Sequence, residues 1–315
     1  MIRAPFLDRL RLPVIIAPMF LVSTAEMVVA AGKAGILGTY LAPNARTLSD
    51  LEIALETISS SLAPGSQPWA ASLIVHRTYD RFDAEMEMIA RFRPPLVITA
   101  LGNPARIAPT VQAYGGAVFC DVATVDQARR ALDSGVDGLI LLCTGAGGHT
   151  GHLSPFAFIE EVRSFWDGPL TAAGAVGSAA AIRAALELGA DYVYMGTRFL
   201  PARESMVTEE NRQMVLRAGL SDIILSDVPT GLAANWLADS LRAAGIDPRG
   251  EKHKAQADFS TLRDEVKAWK HIWSAGQSVG RSRENQSVEQ IADELVAEFR
   301  ELAARSACGG WPRVI

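Results

Sequence analysis

A glycine-rich stretch that contains two histidines is the part of this 315-residue chain whose residue types best suit chemistry. Residues 143–152 read Cys-Thr-Gly-Ala-Gly-Gly-His-Thr-Gly-His. The glycine spacing does not match the G-x-G-x-x-G pattern of dinucleotide sites, and no lysine follows as in a P-loop. So many glycines predict that the backbone passes close to a flat ligand. His149 would lie beside that ligand, where an imidazole can exchange a proton near neutral pH.

The same stretch holds side chains of the types that bind transition metals. Cys143, His149 and His152 could supply three ligands, but no carboxylate stands close by in the sequence to complete the set. We therefore predict no metal site. His149 is the expected acid or base, and His152 is expected to be solvated.

Short apolar runs alternate with amphipathic stretches up to about residue 205, and these elements would position the histidine. Uncharged runs of this kind are typical of parallel strands that are buried on both faces. Eight of them predict an α/β fold, a (β/α)8 TIM barrel, with a doubly wound open sheet as the alternative. The predicted strands are Val14–Ala17, Ile36–Leu41, Ala70–Val75, Leu96–Thr99, Ala117–Cys120, Gly138–Leu142, Pro169–Ala173 and Tyr192–Met195.

The alternation is lost after the eighth run. Residues 206–270 are predicted to form a helical lid or substrate subdomain, and residues 1–205 with 271–315 the barrel. Ser287-Val288-Glu289-Gln290 matches a capping box, and the helix that follows has one apolar face that would pack on the barrel. Ser23-Thr24-Ala25-Glu26 matches the same motif after the first strand.

Small residues end the seventh and eighth predicted strands, at Ala172–Gly177 and Met195–Arg198. In TIM barrels the active site lies at the carboxyl ends of the strands, and a phosphate often binds after strands seven and eight. Small residues let backbone N–H groups approach a phosphate, and a helix N-terminus favours negative charge. Thr197 or Arg198 could add a contact. We predict a phosphate site here, although the glycines could also serve only to make tight turns.

Composition excludes several classes of protein. The net charge is -5 with no basic patch, which argues against nucleic-acid binding. No run of 18 apolar residues occurs, so no membrane-spanning helix is expected. Three widely spaced cysteines, Cys120, Cys143 and Cys308, form no C-x-x-C pair and suit a reducing cytosol. We therefore expect a cytoplasmic protein.

Five segments match a known family: PVIIAPM at 13–19, AGGH at 146–149, LTAAGA at 170–175, YMGTRF at 194–199 and IWSAGQ at 272–277. In these segments the chain resembles the nitronate monooxygenases, formerly called 2-nitropropane dioxygenases, which are FMN-dependent (β/α)8 enzymes. The resemblance spans nearly the whole chain. It is specific for the FMN-barrel superfamily and less so for one reaction, because NADH:quinone reductases and a flavin enoyl-acyl-carrier-protein reductase have similar barrels.

The resemblance implies a role for each matching segment. His149 corresponds to the family's active-site histidine, which removes an α-proton from neutral nitroalkanes or orients the nitronate. The other residues would bind FMN. The backbone of the first loop would run along the flavin, two turns of small residues would hold the phosphate, and two glycines would lie against the ring. A segment that returns from the lid would close over the cofactor. These residues are Pro18, Met19, Phe20, Gly147, Gly148, Ala173, Gly174, Ala175, Gly196, Thr197, Trp273 and Gln277.

The chain departs from the family at three places. Asp121 follows the fifth strand, where the family often has a polar or basic residue near the flavin. His76 follows the third strand, where Asn or Thr is common. Ala175 replaces a glycine of the phosphate loop. A carboxylate near the flavin would disfavour the anionic reduced ring, so Asp121 bears on the redox chemistry.

The expected activity is therefore the oxidation of alkyl nitronates, and of nitroalkanes, by O2 to carbonyl compounds and nitrite. An NAD(P)H-dependent flavin reductase that acts on a quinone or an enoyl thioester is the alternative. A flavin-free barrel that binds a phosphate ligand is a third hypothesis. The sequence identifies neither the natural substrate nor the oligomeric state.

Overall fold

Eight parallel strands form the centre of the protein, as predicted. The computed structural model describes residues 7–62, 68–248 and 272–308. The strand order in the sheet is β1-β9-β8-β6-β5-β4-β3-β2. These strands are β1 Val14–Ile16, β2 Thr39–Leu41, β3 Ala70–Ile74, β4 Leu96–Ala100, β5 Ala117–Val122, β6 Gly138–Leu142, β8 Leu170–Ala173 and β9 Tyr192–Met195.

The sheet closes into a barrel through Leu37, which lies just before β2. The Ile16 N–H donates to the Leu37 carbonyl at 2.7 Å, and the Leu37 N–H donates to the Val14 carbonyl at 3.0 Å. The next residue is Gly38, because the helix Ala25–Lys33 passes close to the chain here: a Cβ at position 38 would lie 2.6 Å from the Val28 Cα. The predicted (β/α)8 barrel is confirmed, and the open-sheet alternative is wrong.

Helices cover the outside of the barrel. Along each strand, inward side chains such as Ile15, Phe119 and Ile140 form one apolar cluster, and the side chains between them pack under the helices. The helices are α1 Ala25–Lys33, α2 Leu48–Ser61, α3 Phe82–Phe92, α4 Ala108–Ala113, α5 Val125–Asp133, α6 Pro155–Arg163, α7 Ala179–Glu187, α8 Glu209–Arg217, α9 Ala238–Ala243 and α10 Val288–Cys308.

The C-terminal helix α10 packs on the barrel against α1 and α7, as predicted. Val288, Ile291 and Leu295 on its apolar face are buried. Its capping box is also formed: the Ser287 hydroxyl accepts from the Gln290 N–H at 3.2 Å, and the Gln290 side chain accepts from the Ser287 N–H at 3.0 Å.

The segment predicted as a helical lid contains strands as well as helices. Between α8 and α9 lie β10 Ile223–Ser226 and β11 Ala234–Leu237, which pair antiparallel. Their β-branched and aromatic residues favour strands, and Trp236 is fully buried with its indole N–H on the Ser226 carbonyl at 3.0 Å. The predicted residues 249–270 lie outside the described ranges, and the division into two domains stays a prediction.

A third strand joins this small sheet from the glycine-rich loop. β7, Gly148–His149, pairs antiparallel with β11, with His149 opposite Ala234 and Gly148 opposite Asn235. The segment after the barrel is therefore connected directly to the candidate catalytic histidine. No helix among the described residues has the length and apolar character needed to cross a membrane.

Candidate active site

A cavity of about 1260 Å³ opens at the carboxyl ends of the barrel strands. Its walls come from the βα loops and from the segment after the barrel. The residues predicted from sequence converge here with one exception, Gln277. Those that line it are Pro18, Met19, Phe20, Gly147, Gly148, His149, Ala173, Gly174, Ala175, Gly196, Thr197 and Trp273.

The loop after β1 is held by side chains that the sequence motif did not identify. The Ser23 hydroxyl accepts from the Met19 N–H at 2.9 Å. Thr24 is the N-cap of α1 and accepts from the Met27 N–H at 3.0 Å, so the predicted Ser23 capping box is wrong. Asn44 donates to the Met19 carbonyl at 3.0 Å and accepts from the Leu21 N–H at 2.9 Å. Ser23 is thus occupied in fixing Met19 at the cavity wall.

The turn after β8 contains two consecutive residues with positive φ. Gly174 has φ +122°, and a Cβ there would lie 2.8 Å from the Thr144 carbonyl oxygen, so the position requires glycine. Ala175 keeps the left-handed conformation at φ +57° despite its side chain. Helix α7 begins soon after, capped by Ser178, so its positive end lies beside this turn.

The turn after β9 uses its side chains differently from the sequence expectation. The Thr197 hydroxyl accepts from the Gly276 N–H at 2.8 Å, which ties the turn to the 272–277 segment. Arg198 does not line the cavity. Its guanidinium donates to Gln286 at 2.8 Å and pairs with Glu294 at 2.9 Å. The suggested phosphate contact from Arg198 is therefore wrong, because α10 supplies an acidic partner outside the barrel.

His149 is held in place by the small antiparallel sheet. Besides the β7–β11 pairing, the Asn235 amide donates to the Ala146 carbonyl at 2.7 Å, and the Thr150 N–H donates to the Ala233 carbonyl at 3.2 Å. Burial lowers the pKa of His149, because removal from water disfavours the imidazolium. A neutral imidazole at the cavity wall can accept a proton at physiological pH.

Close packing explains two of the loop glycines. A Cβ on Gly147 would lie 2.7 Å from the Gly276 nitrogen, and one on Gly151 would lie 2.0 Å from the Leu142 carbonyl oxygen. Gly148 has φ +67°, which favours glycine. The density of glycines therefore reflects contacts within the protein at least as much as contact with a ligand.

The 272–277 segment returns over the glycine-rich loop. Trp273 lines the cavity, and its backbone N–H donates to the Ser240 hydroxyl at 2.5 Å. The Gln277 N–H donates to the Gly145 carbonyl at 2.9 Å, and its side chain packs on Gly145. Gln277 thus supports the loop from outside, and its predicted direct contact with the cofactor is not favoured by this position.

Two polar side chains, Asp121 and Tyr194, lie on the floor of the cavity. Asp121 on β5, a departure from the family, has its Oδ1 buried, and burial raises its pKa to about 7. Tyr194 on β9 is 7% exposed with its hydroxyl buried. Side chains alternate between the two faces of a strand. Asp121 therefore faces the barrel interior as Phe119 does two residues earlier, and Tyr194 faces it as Tyr192 does.

The other candidate ligands lie elsewhere. Across residues 7–62, 68–248 and 272–308, no three His, Cys, Asp or Glu side chains come together as a metal site would require. The Cys143 thiol is buried and donates to the Leu141 carbonyl at 3.4 Å. The His76 Nδ1 hydrogen-bonds with the Thr78 hydroxyl at 2.8 Å, and His76 does not line the cavity.

Comparison with known proteins assigns the chain to a family. The family model described as nitronate monooxygenase matches residues 62–298, which is most of the chain. The chain belongs to the nitronate monooxygenase family. It is an enzyme, an oxidoreductase in a family of flavin-dependent enzymes that act on small molecules.

Relatives and solved structures agree over most of the length. The nitronate monooxygenase of Neurospora crassa is 27% identical over 343 aligned positions, which cover 92% of this chain and 89% of that protein. The nitroalkane oxidase of Streptomyces ansochromogenes has a TM-score of 0.82 at 22% identity, covering 98% of this chain and 100% of the other. FabK from Thermotoga maritima has a TM-score of 0.80 at 22% identity, covering 98% and 99%.

Proposed function

We propose that this enzyme is an FMN-dependent nitronate monooxygenase that oxidises alkyl nitronates and nitroalkanes with O2. The observation that carries the proposal is the position of His149. Burial lowers its pKa, and it lies on the wall of a cavity in which the neighbouring strand β8 ends in the turn at Gly174 and Ala175. A base for carbon acids and a cradle for a phosphate thus share one cavity.

The residues present fit a flavin mononucleotide. A left-handed turn followed by the N-terminus of α7 suits a phosphate. The cavity of about 1260 Å³ exceeds the usual 300–1,000 Å³ of a small-molecule site, which leaves room for a substrate beside a cofactor. Pro18, Met19 and Trp273 offer apolar surface for a ring system. Bound FMN would supply the electron transfer between the nitronate and O2.

The role of His149 is to hold and move a proton. For a neutral nitroalkane, the imidazole would take the proton from the carbon next to the nitro group and so generate the nitronate in the cavity. For a nitronate added from solution this step is unnecessary, and His149 would orient the anion. The sheet formed by β7 and β11 fixes the ring for both tasks.

The buried cysteines Cys120 and Cys143 are compatible with a reducing cytoplasm as the compartment of this enzyme.

The visible spectrum of the purified protein is the first test, followed by addition of an alkyl nitronate in air with nitrite assayed. A flavin spectrum with nitrite release supports the proposal. A flavin spectrum without nitrite, together with rapid bleaching by NADH under anaerobic conditions, would support the reductase instead. A protein that neither contains nor binds FMN would refute both.

His149→Ala tests the assigned base. The variant should retain FMN and lose most turnover of neutral nitroalkanes, while preformed nitronates remain much better substrates. His152→Ala is the matched control, because His152 is exposed and does not line the cavity. Full turnover of a neutral nitroalkane by His149→Ala would remove this role.

A further inference from the structure

Among the buried side chains that line the cavity, two ionisable ones carry an oxygen atom with no hydrogen-bond partner among the described residues. They are the Asp121 Oδ1 and the Tyr194 hydroxyl. Both side chains line the cavity. Leaving a buried polar group unpaired costs about 1–3 kcal/mol, so such a group usually has a ligand or another function.

Both side chains enter the same cavity from the inner face of the barrel. Strand order runs from β9 through β8 and β6 to β5, with Tyr194 paired to Ala173 and Asp121 paired to Ile140. Burial raises the pKa of the Tyr194 phenol, and the charge of Asp121 raises it further. Ala173 between them is small, which leaves space above the floor.

The other charged side chains around the cavity are at its rim. Arg46, Arg130 and Asp133 line it but are exposed. Among the charged residues that line the cavity, Asp121 is the one that lies on the floor. No basic residue among the described lining residues lies there to neutralise its charge. A carboxylate there disfavours an anionic ligand and favours one that donates a hydrogen bond. The phenol of Tyr194 can donate to an acceptor next to that donor.

We propose that Asp121 and Tyr194 bind the polar edge of the flavin ring, where an N–H lies between two carbonyl groups. Asp121 accepts from the ring N–H, and Tyr194 donates to a neighbouring ring carbonyl. The inference rests on the proposed FMN site. Tyr194 precedes the Gly196–Thr197 turn by two residues, so a cofactor with its phosphate at the turns would reach this floor with its ring.

The proposed contact between Asp121 and the flavin ring has a consequence for the cofactor's reduction potential. Two-electron reduction with uptake of one proton leaves the flavin ring anionic, and a carboxylate beside the ring opposes that negative charge. Asp121 would therefore lower the reduction potential of the bound cofactor. Tyr194 would contribute mainly to its affinity.

The test uses the FMN-loaded enzyme and the variants Asp121→Asn and Tyr194→Phe. The readouts are the FMN dissociation constant, the flavin absorption bands and the two-electron potential, measured by equilibration with a reference dye. Tyr192→Phe is the matched control, because Tyr192 lies on the same strand and face, two residues deeper, and does not line the cavity.

Asp121→Asn should favour the reduced cofactor about tenfold, which is about 30 mV for a two-electron couple. Tyr194→Phe should weaken FMN binding by about five- to tenfold and shift the absorption bands. Tyr192→Phe should change neither quantity. If Asp121→Asn does not fold, Tyr194→Phe carries the test alone.

Unchanged affinity, spectrum and potential in both variants would overturn the pairing while leaving the FMN proposal intact. A change confined to the substrate KM would also overturn it, since the pair would then contact substrate. A wild-type protein that binds no FMN would instead refute the proposed function.

Discussion

Replacing Asp121 by asparagine should stabilise the flavin-free protein in a pH-dependent way. Burial raises the pKa of this carboxyl from its ordinary 3.8 to about 7, because desolvation disfavours the charged form. Between these values the folded state binds more protons than the unfolded chain. The free energy of unfolding must therefore fall as the pH rises through this interval and stay low above it. Asparagine is similar in shape and uncharged, so the variant lacks this contribution.

The size of the effect follows from the pKa. Moving it from 3.8 to about 7 corresponds to roughly 4 kcal/mol at 1.36 kcal/mol per pKa unit. Because Asp121 faces a cavity that water can enter, we expect Asp121→Asn to gain about 2–4 kcal/mol at pH 8. At pH 5 the gain should be less than half as large, since the wild-type carboxyl is then mostly protonated when folded.

Urea unfolding at pH 5 and pH 8, at one ionic strength and without added FMN, measures the difference. Glu85 has its pKa raised to about 7 by burial as well, but it is present in both proteins and cancels. Asp133→Asn is the control, because Asp133 is an exposed carboxyl at the end of α5. A variant equally stable as the wild type at both pH values, or less stable at pH 8, would refute the reasoning.

Three further predictions concern the loop that carries His149. Because burial lowers the pKa of His149, turnover of a neutral nitroalkane should rise with pH to a plateau, with the midpoint of the rise below pH 6.5. Turnover of a nitronate should lack this rise. Gly151→Ala places a Cβ 2.0 Å from the Leu142 carbonyl oxygen and should cost about 1–3 kcal/mol on unfolding, whereas Gly219→Ala meets only an ordinary 3.7 Å contact. Asn235→Ala removes the 2.7 Å bond to Ala146 and should lower kcat on nitroalkanes several-fold while FMN binding, followed by fluorescence, is kept.

The barrel was predictable from sequence because its signals are local. Each predicted strand is a short uncharged run, and the helices that follow have apolar faces and recognisable starts, as Ser154-Pro155 before α6 illustrates. Eight repeats of that pattern predict both the sheet and the end at which the site lies. Gly174 was found for the same reason, because its turn between strand and helix needs a positive φ that few residues allow.

What could not be predicted depends on contacts between distant segments. The hydroxyls of Ser23 and Thr24 compete for the same helix start, and only the loop at Met19 decides between them. From sequence, Arg198 is a candidate phosphate ligand. In the fold its guanidinium instead binds Glu294, which lies 96 residues later in the chain. Tyr194 resembles the apolar residues of its strand in sequence, and only the folded chain shows that it lines the same cavity as Asp121, which lies on another strand.

The candidate catalytic histidine, His149, was the hardest residue to place from sequence. A two-residue strand has almost no sequence signature, and Gly148–His149 becomes one only by pairing with Ala234–Asn235 far along the chain. The pairing satisfies the backbone of a glycine-rich loop that would otherwise be costly to order. The His149 side chain is also removed from water, which lowers its pKa. The segment after the barrel therefore holds the backbone of His149 in place, and substitutions in β11 should alter proton transfer without touching the turns at Gly174 and Thr197.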